Sequence, residues 1–348
     1  MKVSIIIPTK NEEKNIAALL SHFNYAGSEI AYEAIVVDDS DNNFTMVAAA
    51  LAGAKIIKGR SVGLSQAVID GIAEAQGDAI VVMDADFQHP PELVPKIAEE
   101  LKNHDFVVAS RYVDGGGCEV WDLDRKVISR VANLAARPLV PKVKDSVSGF
   151  FGFRRDGAPE LSSLSGRGFK IMLELLVKGN WKNVVEIPYT FGVRKEGSSK
   201  LGRKQVSEYL IQLASLYLYK YPILKFMLVG ASGVLVNLAV LAALTELAGI
   251  YYLASFAVAF MCAATNNYWW NKLWTFKGRA TAKLGYLRYL TLTSVTLLLD
   301  EALLYAFTEW CGIWYVASAT IAIMIVFVIR YLASKRFIWS ETKVTKLE

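Results

Sequence analysis

Cysteine and histidine are scarce in this chain, with three of each among 348 residues. The cysteines are Cys118, Cys262 and Cys311. Because they are odd in number and lack the spacing of metal ligands, we predict three unpaired thiols and no disulfide or zinc site. The histidines are His22, His89 and His104. No histidine–carboxylate pair is evident near the motifs described below, so the sequence does not indicate a histidine general base.

The sequence also lacks a separate basic tract, and we expect no secretory leader. Lys and Arg number 38 against 33 Asp and Glu, a net charge of +5. The basic residues gather next to long apolar segments, which favours attraction to a membrane surface and argues against nucleic acid as a partner. Residues 3–7 are too short for a signal-peptide core, so we expect nothing to direct the first half of the chain outward.

The second half of the chain is dominated by long apolar segments. Hydrophobic residues make up 53% of the sequence, and the charged residues are concentrated before residue 220. Each apolar segment is near the ~20 residues that cross a bilayer as a helix. The segments are 226–248, 251–271, 289–308 and 313–333. We therefore predict an integral membrane protein with an α-helical domain of four transmembrane helices.

An internal repeat lies within this half. Residues 245–255 (TELAGIYYLAS) match residues 308–318 (TEWCGIWYVAS) at an offset of 308 minus 245, or 63. The repeat predicts two helical hairpins. Basic residues flank one set of helix ends, so the positive-inside rule places both termini, and with them the first half of the chain, in the cytoplasm.

The chain divides into three predicted parts. A catalytic domain covers 1–202, an interfacial amphipathic helix or linker covers 203–222, and the membrane domain covers 223–348. Asn237, Asp300 and Arg330 lie at predicted membrane depth. Polar groups there often mark function, but we favour an interhelix polar contact and leave a direct Asp300–Arg330 pair open.

Strand and helix signals alternate in the first half. The strand-like segments are 3–7, 34–37, 54–57, 79–83 and 105–109, and the helical patterns are 12–23, 64–76 and 92–103. This order predicts a parallel α/β sheet with helices on both faces. Polar residues follow the strands, and ligands of open α/β sheets bind at that carboxyl edge.

One of these polar clusters has the composition of a cation site. Asp84 and Asp86 follow the apolar strand 79–83, with the amide of Gln88 two residues further on. Hard divalent cations are held by one or two carboxylates together with substrate phosphates. The pattern therefore predicts a site for Mg²⁺ or Mn²⁺ beside a phosphorylated substrate.

Several motifs resemble glycosyltransferase family 2, whose members have the GT-A (Rossmann-like, nucleotide-sugar-binding) fold. These are 8–13 (PTKNEE), 36–41 (VVDDSD), 63–65 (GLS) and 83–92 (MDADFQHPPE). Others resemble its dolichol-phosphate mannosyltransferase branch: 109–112 (ASRY), 145–150 (DSVSGF) and 186–201 (EIPYTFGVRKEGSSKL). Residues 266–276 (NNYWWNKLWTF) resemble the GtrA-like membrane domain.

The resemblance implies an inverting transfer of mannose from GDP-mannose to dolichyl or another polyprenyl phosphate, giving dolichyl β-D-mannosyl phosphate. It places Mg²⁺ or Mn²⁺ on Asp84, Asp86 and Gln88. The implied donor-binding residues are Pro8, Lys10, Asn11, Glu12, Val37, Asp39, Asp84, Ala85, Asp86, Arg194 and Lys200. Lys10 stands where the family usually has tyrosine.

The acceptor side requires a phosphate clamp. Arg125 and Ser129 are four residues apart and share one predicted helix face, and with Arg111 they would bind a phosphate monoester. With Asp86 they are the predicted catalytic residues. Two alternatives remain: a polyprenyl-phosphate glucosyltransferase that uses a UDP-sugar, and a lipid-linked sugar flippase with a regulatory nucleotide-binding domain. The sequence indicates no oligomeric state.

Overall fold

The computed structural model describes residues 1–23, 30–118, 123–192 and 202–340. The chain forms two compact units, Met1–Tyr217 and Leu218–Glu348. The division falls inside the helix that spans residues 203–220, and the predicted boundaries at 202 and 222 stay predictions. All three cysteines are unpaired, as predicted.

The described part of the first unit is built on a seven-stranded sheet. The described strands of this unit are β1 Lys2–Thr9, β2 Ala31–Asp38, β3 Lys55–Lys58, β4 Ala79–Val82, β5 Phe106–Ser110, β6 Gly117–Cys118, β7 Phe151–Arg154, β8 Val184–Pro188 and β9 Thr190–Phe191. The sheet order is β3-β2-β1-β4-β7-β5-β8, and β6 pairs with β9 separately. The central strands β1 and β4 are almost wholly buried, as their β-branched runs predict.

The prediction of an all-parallel sheet is wrong at one strand. β7 lies between β4 and β5 and is antiparallel to both, whereas the other strand pairs of this sheet are parallel. A Cβ at Gly152 of β7 would lie 2.6 Å from Ile97 and 3.0 Å from Leu101, so glycine allows a helix to pack closely on this strand. The carboxyl ends of β1, β2, β4 and β5 still share one edge.

Helices cover this sheet. The described helices of the first unit are α1 Ile16–Ser21, α2 Phe44–Leu51, α3 Leu64–Glu74, α4 Val94–Glu100, α5 Leu123–Ala136, α6 Ile171–Lys178 and α7 Arg203–Lys220. The first three predicted helical patterns correspond to α1, α3 and α4, while α2 was not predicted. Arg125 and Ser129 lie on α5, as their spacing predicts.

In its described residues, the second unit has four long helices in two hairpins. They are α8 Pro222–Ala242, α9 Tyr252–Trp270, α10 Gly285–Tyr305 and α11 Tyr315–Ala333. Each continues into a five-residue π-helical segment, at Ala243–Leu247, Asn271–Thr275, Ala306–Trp310 and Ser334–Ile338. A short antiparallel pair joins β10 Ala280–Thr281 to β11 Trp339–Ser340.

The 63-residue repeat is present in this unit. The bounds of α8 and α9, shifted by 63 residues, are the bounds of α10 and α11. Repeat-related aromatic residues also meet, because Phe276 and Trp339 stack with ring centroids 4.6 Å apart. The apolar core therefore joins equivalent positions of the two hairpins.

Three of the four predicted spans are confirmed as helices long and apolar enough to cross a bilayer. Within the described part of the chain these are Pro222–Leu247, Gly285–Trp310 and Tyr315–Ile338. α9 does not reach the same mean hydropathy because Asn266 and Asn267 fall in its last turns, followed by Tyr and Trp.

The polar residues of this unit make contacts between helices. Arg330 Nε donates a hydrogen bond of 2.8 Å to Thr296 Oγ1, joining α11 to α10. Asn266 donates to Ser232 Oγ at 3.0 Å, joining α9 to α8. Asp300 and Arg330 form no direct pair in the described structure, and Asp300 Oδ1 is buried without a hydrogen-bond partner. The contacts of Arg330 and Asn266 support a structural role for these polar groups.

Two glycines of α8 provide a matched test of this packing. A Cβ at Gly233 would overlap the Asn267 side chain, whose Cγ would lie 2.7 Å away, whereas a Cβ at Gly230 meets nothing within 4 Å. We expect Gly233→Ala to lower the melting temperature in detergent, since overpacking typically costs about 1–3 kcal/mol. Gly230→Ala should leave it unchanged or slightly higher. Equal effects of the two substitutions would contradict this packing.

Candidate active site

A cavity of about 980 Å³ lies at the carboxyl edge of the sheet in the first unit. It brings together most of the predicted site residues: Pro8, Lys10, Glu12, Asp39, Asp84, Ala85, Asp86, Gln88, Arg111, Arg125 and Ser129. Asn11 and Val37 do not line it, and Val37 is fully buried in β2. Arg194 and Lys200 lie outside the described residues.

The loops after β1 and β2 hold Asp39 at the cavity wall. Asp39 Oδ1 accepts a hydrogen bond of 2.8 Å from the Ser61 amide. Its own amide donates to the Thr9 carbonyl at 2.9 Å. A Cβ at Gly59 would overlap the Asp39 carboxylate, so glycine is needed for this close approach. The arrangement fixes an acceptor group at the site predicted for the nucleoside.

The loop after β4 presents the predicted cation ligands. Asp86 Oδ1 accepts a hydrogen bond of 3.1 Å from the Gln88 amide, across a turn in which Phe87 has a φ of 61°. Gln88 Nε2 donates to the Gly192 carbonyl at 3.2 Å, which orients the side-chain amide. No group of three His, Cys, Asp or Glu that could hold a metal occurs among the described residues. Two carboxylates and one amide still fit an ion completed by substrate phosphate.

His89 supports this loop, a role that the sequence analysis missed. The Asp84 amide donates to His89 Nδ1 at 2.9 Å, and the buried ring stacks on Phe150 with centroids 5.1 Å apart. Burial lowers the pKa of His89 to about 3, so the ring is neutral near pH 7. Nδ1 also lies 3.7 Å from Asp84 Oδ2. The expectation that no histidine lies beside a carboxylate near these motifs is therefore wrong. With so low a pKa, His89 is not a general base.

Arg111 is locked by a buried carboxylate. Its Nε and Nη2 donate to the two oxygens of Asp145 at 2.8 and 2.7 Å, and its amide donates to Asp145 Oδ2 at 2.9 Å. Asp145 is fully buried and raises the pKa of Arg111 despite the burial of the guanidinium. The sequence contained a signal, since Asp145 opens the motif 145–150, but its partner lies 34 residues away.

The remaining acceptor residues lie on α5. Ser129 Oγ accepts a hydrogen bond of 2.8 Å from Tyr112 Oη, and Arg125 is half-buried one turn earlier. Both line the cavity with Arg111. Lys170, which the sequence analysis did not single out, lines it as well. The structure therefore brings the three predicted clamp residues to one cavity, where Lys170 is a third cation beside Arg111 and Arg125.

The other part of the cavity wall is apolar. α5 contributes Val127, Ile128 and Val131, and α7 contributes Val206 and Leu210. Tyrosines hold the two helices together, with Tyr209 Oη donating to the Ala132 carbonyl at 2.7 Å. Val131 is 60% exposed and Leu210 is 57% exposed. One cavity therefore combines a charged end with an exposed apolar surface.

Comparison with known proteins identifies the family. Residues 4–161 match Glycosyl transferase family 2, and residues 225–339 match the GtrA/DPMS transmembrane domain. A dolichol-phosphate mannosyltransferase of Pyrococcus furiosus is 39% identical over 98% of this chain and 100% of its own length. The chain belongs to the dolichol-phosphate mannosyltransferase family. As a member of this family it is a membrane-integral glycosyltransferase with a GT-A-like catalytic unit.

Two further proteins match a smaller share of this chain. The dolichol-phosphate mannosyltransferase of Saccharomyces cerevisiae is 40% identical over 64% of this chain and 89% of its own length. A solved structure of glucosyl-3-phosphoglycerate synthase from Mycobacterium tuberculosis, in complex with Mn²⁺ and UDP, is 20% identical. It covers 63% of this chain and 79% of that chain, with a TM-score of 0.44.

The buried ion pair predicts unequal effects of removing two arginines. Arg111→Ala leaves the carboxylate of Asp145 buried and uncompensated, which typically costs about 3–5 kcal/mol. Arg125→Ala, at a half-buried position outside this pair, should cost much less. Melting temperatures in detergent without substrates compare the two. The double variant Arg111→Met with Asp145→Leu should recover part of the loss, and a stable Arg111→Ala protein would contradict the role given to the pair.

Proposed function

We propose that this protein transfers mannose from GDP-mannose to dolichyl or another polyprenyl phosphate, with inversion at the anomeric carbon, giving dolichyl β-D-mannosyl phosphate. The observation that carries the proposal is the cavity that combines a carboxylate-rich loop, a buried arginine and an exposed apolar wall. The carboxylate-rich loop suits a cation-bound nucleotide-sugar, the arginine suits a phosphate, and the apolar wall suits a lipid chain. The near full-length similarity to a protein named dolichol-phosphate mannosyltransferase supports the same substrates.

The donor would lie along the loops after β1, β2 and β4. Asp39 suits a base that offers N–H donors, because an ionised carboxylate only accepts hydrogen bonds. Asp84, Asp86 and Gln88 would hold Mg²⁺ or Mn²⁺, which stabilises the negative charge on the departing nucleoside diphosphate when bound. Pro8, Lys10 and Glu12 also line the cavity and would contact the donor. Asn11, Val37, Arg194 and Lys200 remain donor-binding proposals from the family resemblance.

The acceptor phosphate would bind Arg111, Arg125 and Ser129. Because Asp145 accepts two hydrogen bonds from the Arg111 guanidinium, this group is held in one orientation before any ligand binds. A phosphate oxygen of the lipid attacks the anomeric carbon. The new carbon–oxygen bond forms as the bond to the diphosphate breaks, and that electron pair leaves with GDP. A lipid phosphate is already anionic at neutral pH, so no general base is required, and positioning carries the catalysis.

The second unit would anchor this chemistry at the bilayer. We propose α9 as a fourth span, since it forms a hairpin with α8 just as α11 does with α10. Basic residues lie between the hairpins and after the second one, at Lys272, Lys277, Arg279, Lys335 and Arg336. The positive-inside rule then places both termini and the catalytic unit in the cytoplasm.

Turnover by the full-length protein in detergent tests the activity. With a polyprenyl phosphate as acceptor, we expect GDP-mannose to yield lipid-linked mannose and GDP. UDP-glucose should be consumed at least about tenfold more slowly, a difference of roughly 1.4 kcal/mol in transition-state binding. Preference for UDP-glucose would instead identify a polyprenyl-phosphate glucosyltransferase. Transbilayer movement of lipid-linked sugar without consumption of any nucleotide-sugar would identify a flippase.

The cation site predicts the effect of one isosteric change. Asp86→Asn removes a ligand charge with little change in size, so we expect transfer to fall about a hundredfold or more, equivalent to roughly 3 kcal/mol of transition-state stabilisation. Asp41→Asn is the matched control, because Asp41 is exposed and outside the cavity lining. Chelation should abolish wild-type transfer, and Mg²⁺ or Mn²⁺ should restore it. Full activity in chelator would overturn the cation site.

A further inference from the structure

Lys170 is a cation of the cavity wall that no predicted motif includes. It precedes α6 directly, and its Nζ donates a hydrogen bond of 2.6 Å to the Val147 carbonyl. The ring of Phe169 lies 4.9 Å from the same nitrogen. Gln212 of α7 donates to the Lys170 carbonyl at 3.2 Å. Main chain and side chain are thus both held, which gives the ammonium group a defined position.

Among the described residues, Lys170 differs from Arg111 and Lys178 in having no carboxylate partner. Arg111 pairs with Asp145 at 2.7 Å, and Lys178 at the end of α6 pairs with Glu174 at 2.6 Å. Within the described ranges, Lys170 makes no ion pair, and its hydrogen-bond acceptor is a neutral carbonyl. A desolvated charge without a counter-ion costs free energy, so a bound anion would stabilise the cavity at this point.

The surrounding charges indicate which ligand would complete it. Burial and, next, the charge of Arg111 lower the pKa of Lys170 to about 8, with Arg125 acting in the same direction and Asp145 and Asp84 opposing. The ammonium is therefore still mainly protonated at neutral pH. It is near the two arginines of the acceptor clamp, so an anion bound there would be attracted by all three cations.

We propose that Lys170 binds the phosphate of the acceptor lipid together with Arg111, Arg125 and Ser129. The proposal rests on the transferase function and adds a substrate-binding residue to it. Its charge would offset the repulsion between the acceptor phosphate and the anionic donor, because Lys170 lies within electrostatic range of both Arg111 and the cation ligand Asp84. If Lys170 served only to bind the Val147 carbonyl, the side chain would need a hydrogen-bond donor but no positive charge.

Binding to the full-length protein in detergent separates these two roles. The probes are a short-chain polyprenyl phosphate, the corresponding polyprenol without phosphate, and GDP. Lys170→Met removes the charge, Lys170→Gln removes the charge but keeps an N–H donor for Val147, and Lys170→Arg keeps the charge. Lys96→Met is the control, since Lys96 is an exposed lysine of α4 outside the cavity lining.

We expect Lys170→Met and Lys170→Gln to weaken binding of the polyprenyl phosphate by about ten- to a hundredfold, the range for one charged hydrogen bond. Affinity for polyprenol and GDP should stay within about threefold of wild type, by the same reasoning that neither loses a contact. Lys170→Arg should retain most phosphate binding, and in turnover the neutral variants should raise the KM for the lipid phosphate more than the KM for the donor.

Two results would overturn the assignment. Unchanged affinity for the polyprenyl phosphate in both neutral variants would show that Lys170 has only a structural role. An equal loss of affinity for GDP would show that Lys170 binds the donor instead. If Lys170→Met does not fold, Lys170→Gln alone decides, because it keeps an N–H donor on the side that faces Val147. Failure of the proposed function is distinguishable, since the wild-type protein would then neither bind nor use the polyprenyl phosphate.

Discussion

The buried ion pair between Arg111 and Asp145 is the interaction on which the site depends. It joins the end of β5 to the loop before β7, and that loop is held to β8 because Glu186 accepts hydrogen bonds from the amides of Lys144 and Asp145 at 2.8 and 3.0 Å. Three parts of the chain are thereby fixed around one charge pair. Lys170 lines the same cavity and has no carboxylate partner among the described residues.

A second constraint is the rigidity of the loop after β4. The neutral ring of His89 accepts the Asp84 amide while packing on Phe150, which belongs to the same segment as Asp145. The proposed cation ligands and the proposed acceptor clamp are therefore supported by one buried layer of side chains. This arrangement suits a reaction that needs no proton transfer, because the rate then depends on the distance and orientation of two phosphates and a sugar.

The sequence predicts those features that depend on local pattern. β1 and β4 follow from β-branched runs, the clustering of Asp84 with Arg111 follows from strand ends sharing one edge, and the membrane repeat follows from matching residues. β7 could not be predicted in this way, because the strand has only four residues, one of them glycine, and so shows no periodic pattern. The support given by His89, Asp145 and Lys170 depends on partners brought close only by the fold, and a single sequence without an alignment does not contain that information.

The membrane unit has diverged at repeat-equivalent contacts without losing them. Gly233 and Asn267 of the first hairpin correspond to Thr296 and Arg330 of the second, each pair lying 63 residues from its counterpart. In the first hairpin, the absence of a side chain on the glycine allows the asparagine to approach closely. In the second hairpin, the threonine hydroxyl accepts a hydrogen bond from the arginine. The position of the interhelix contact is therefore retained while its chemistry changes. Packing, which tolerates such exchange, explains this unit better than a catalytic role, which would require particular groups.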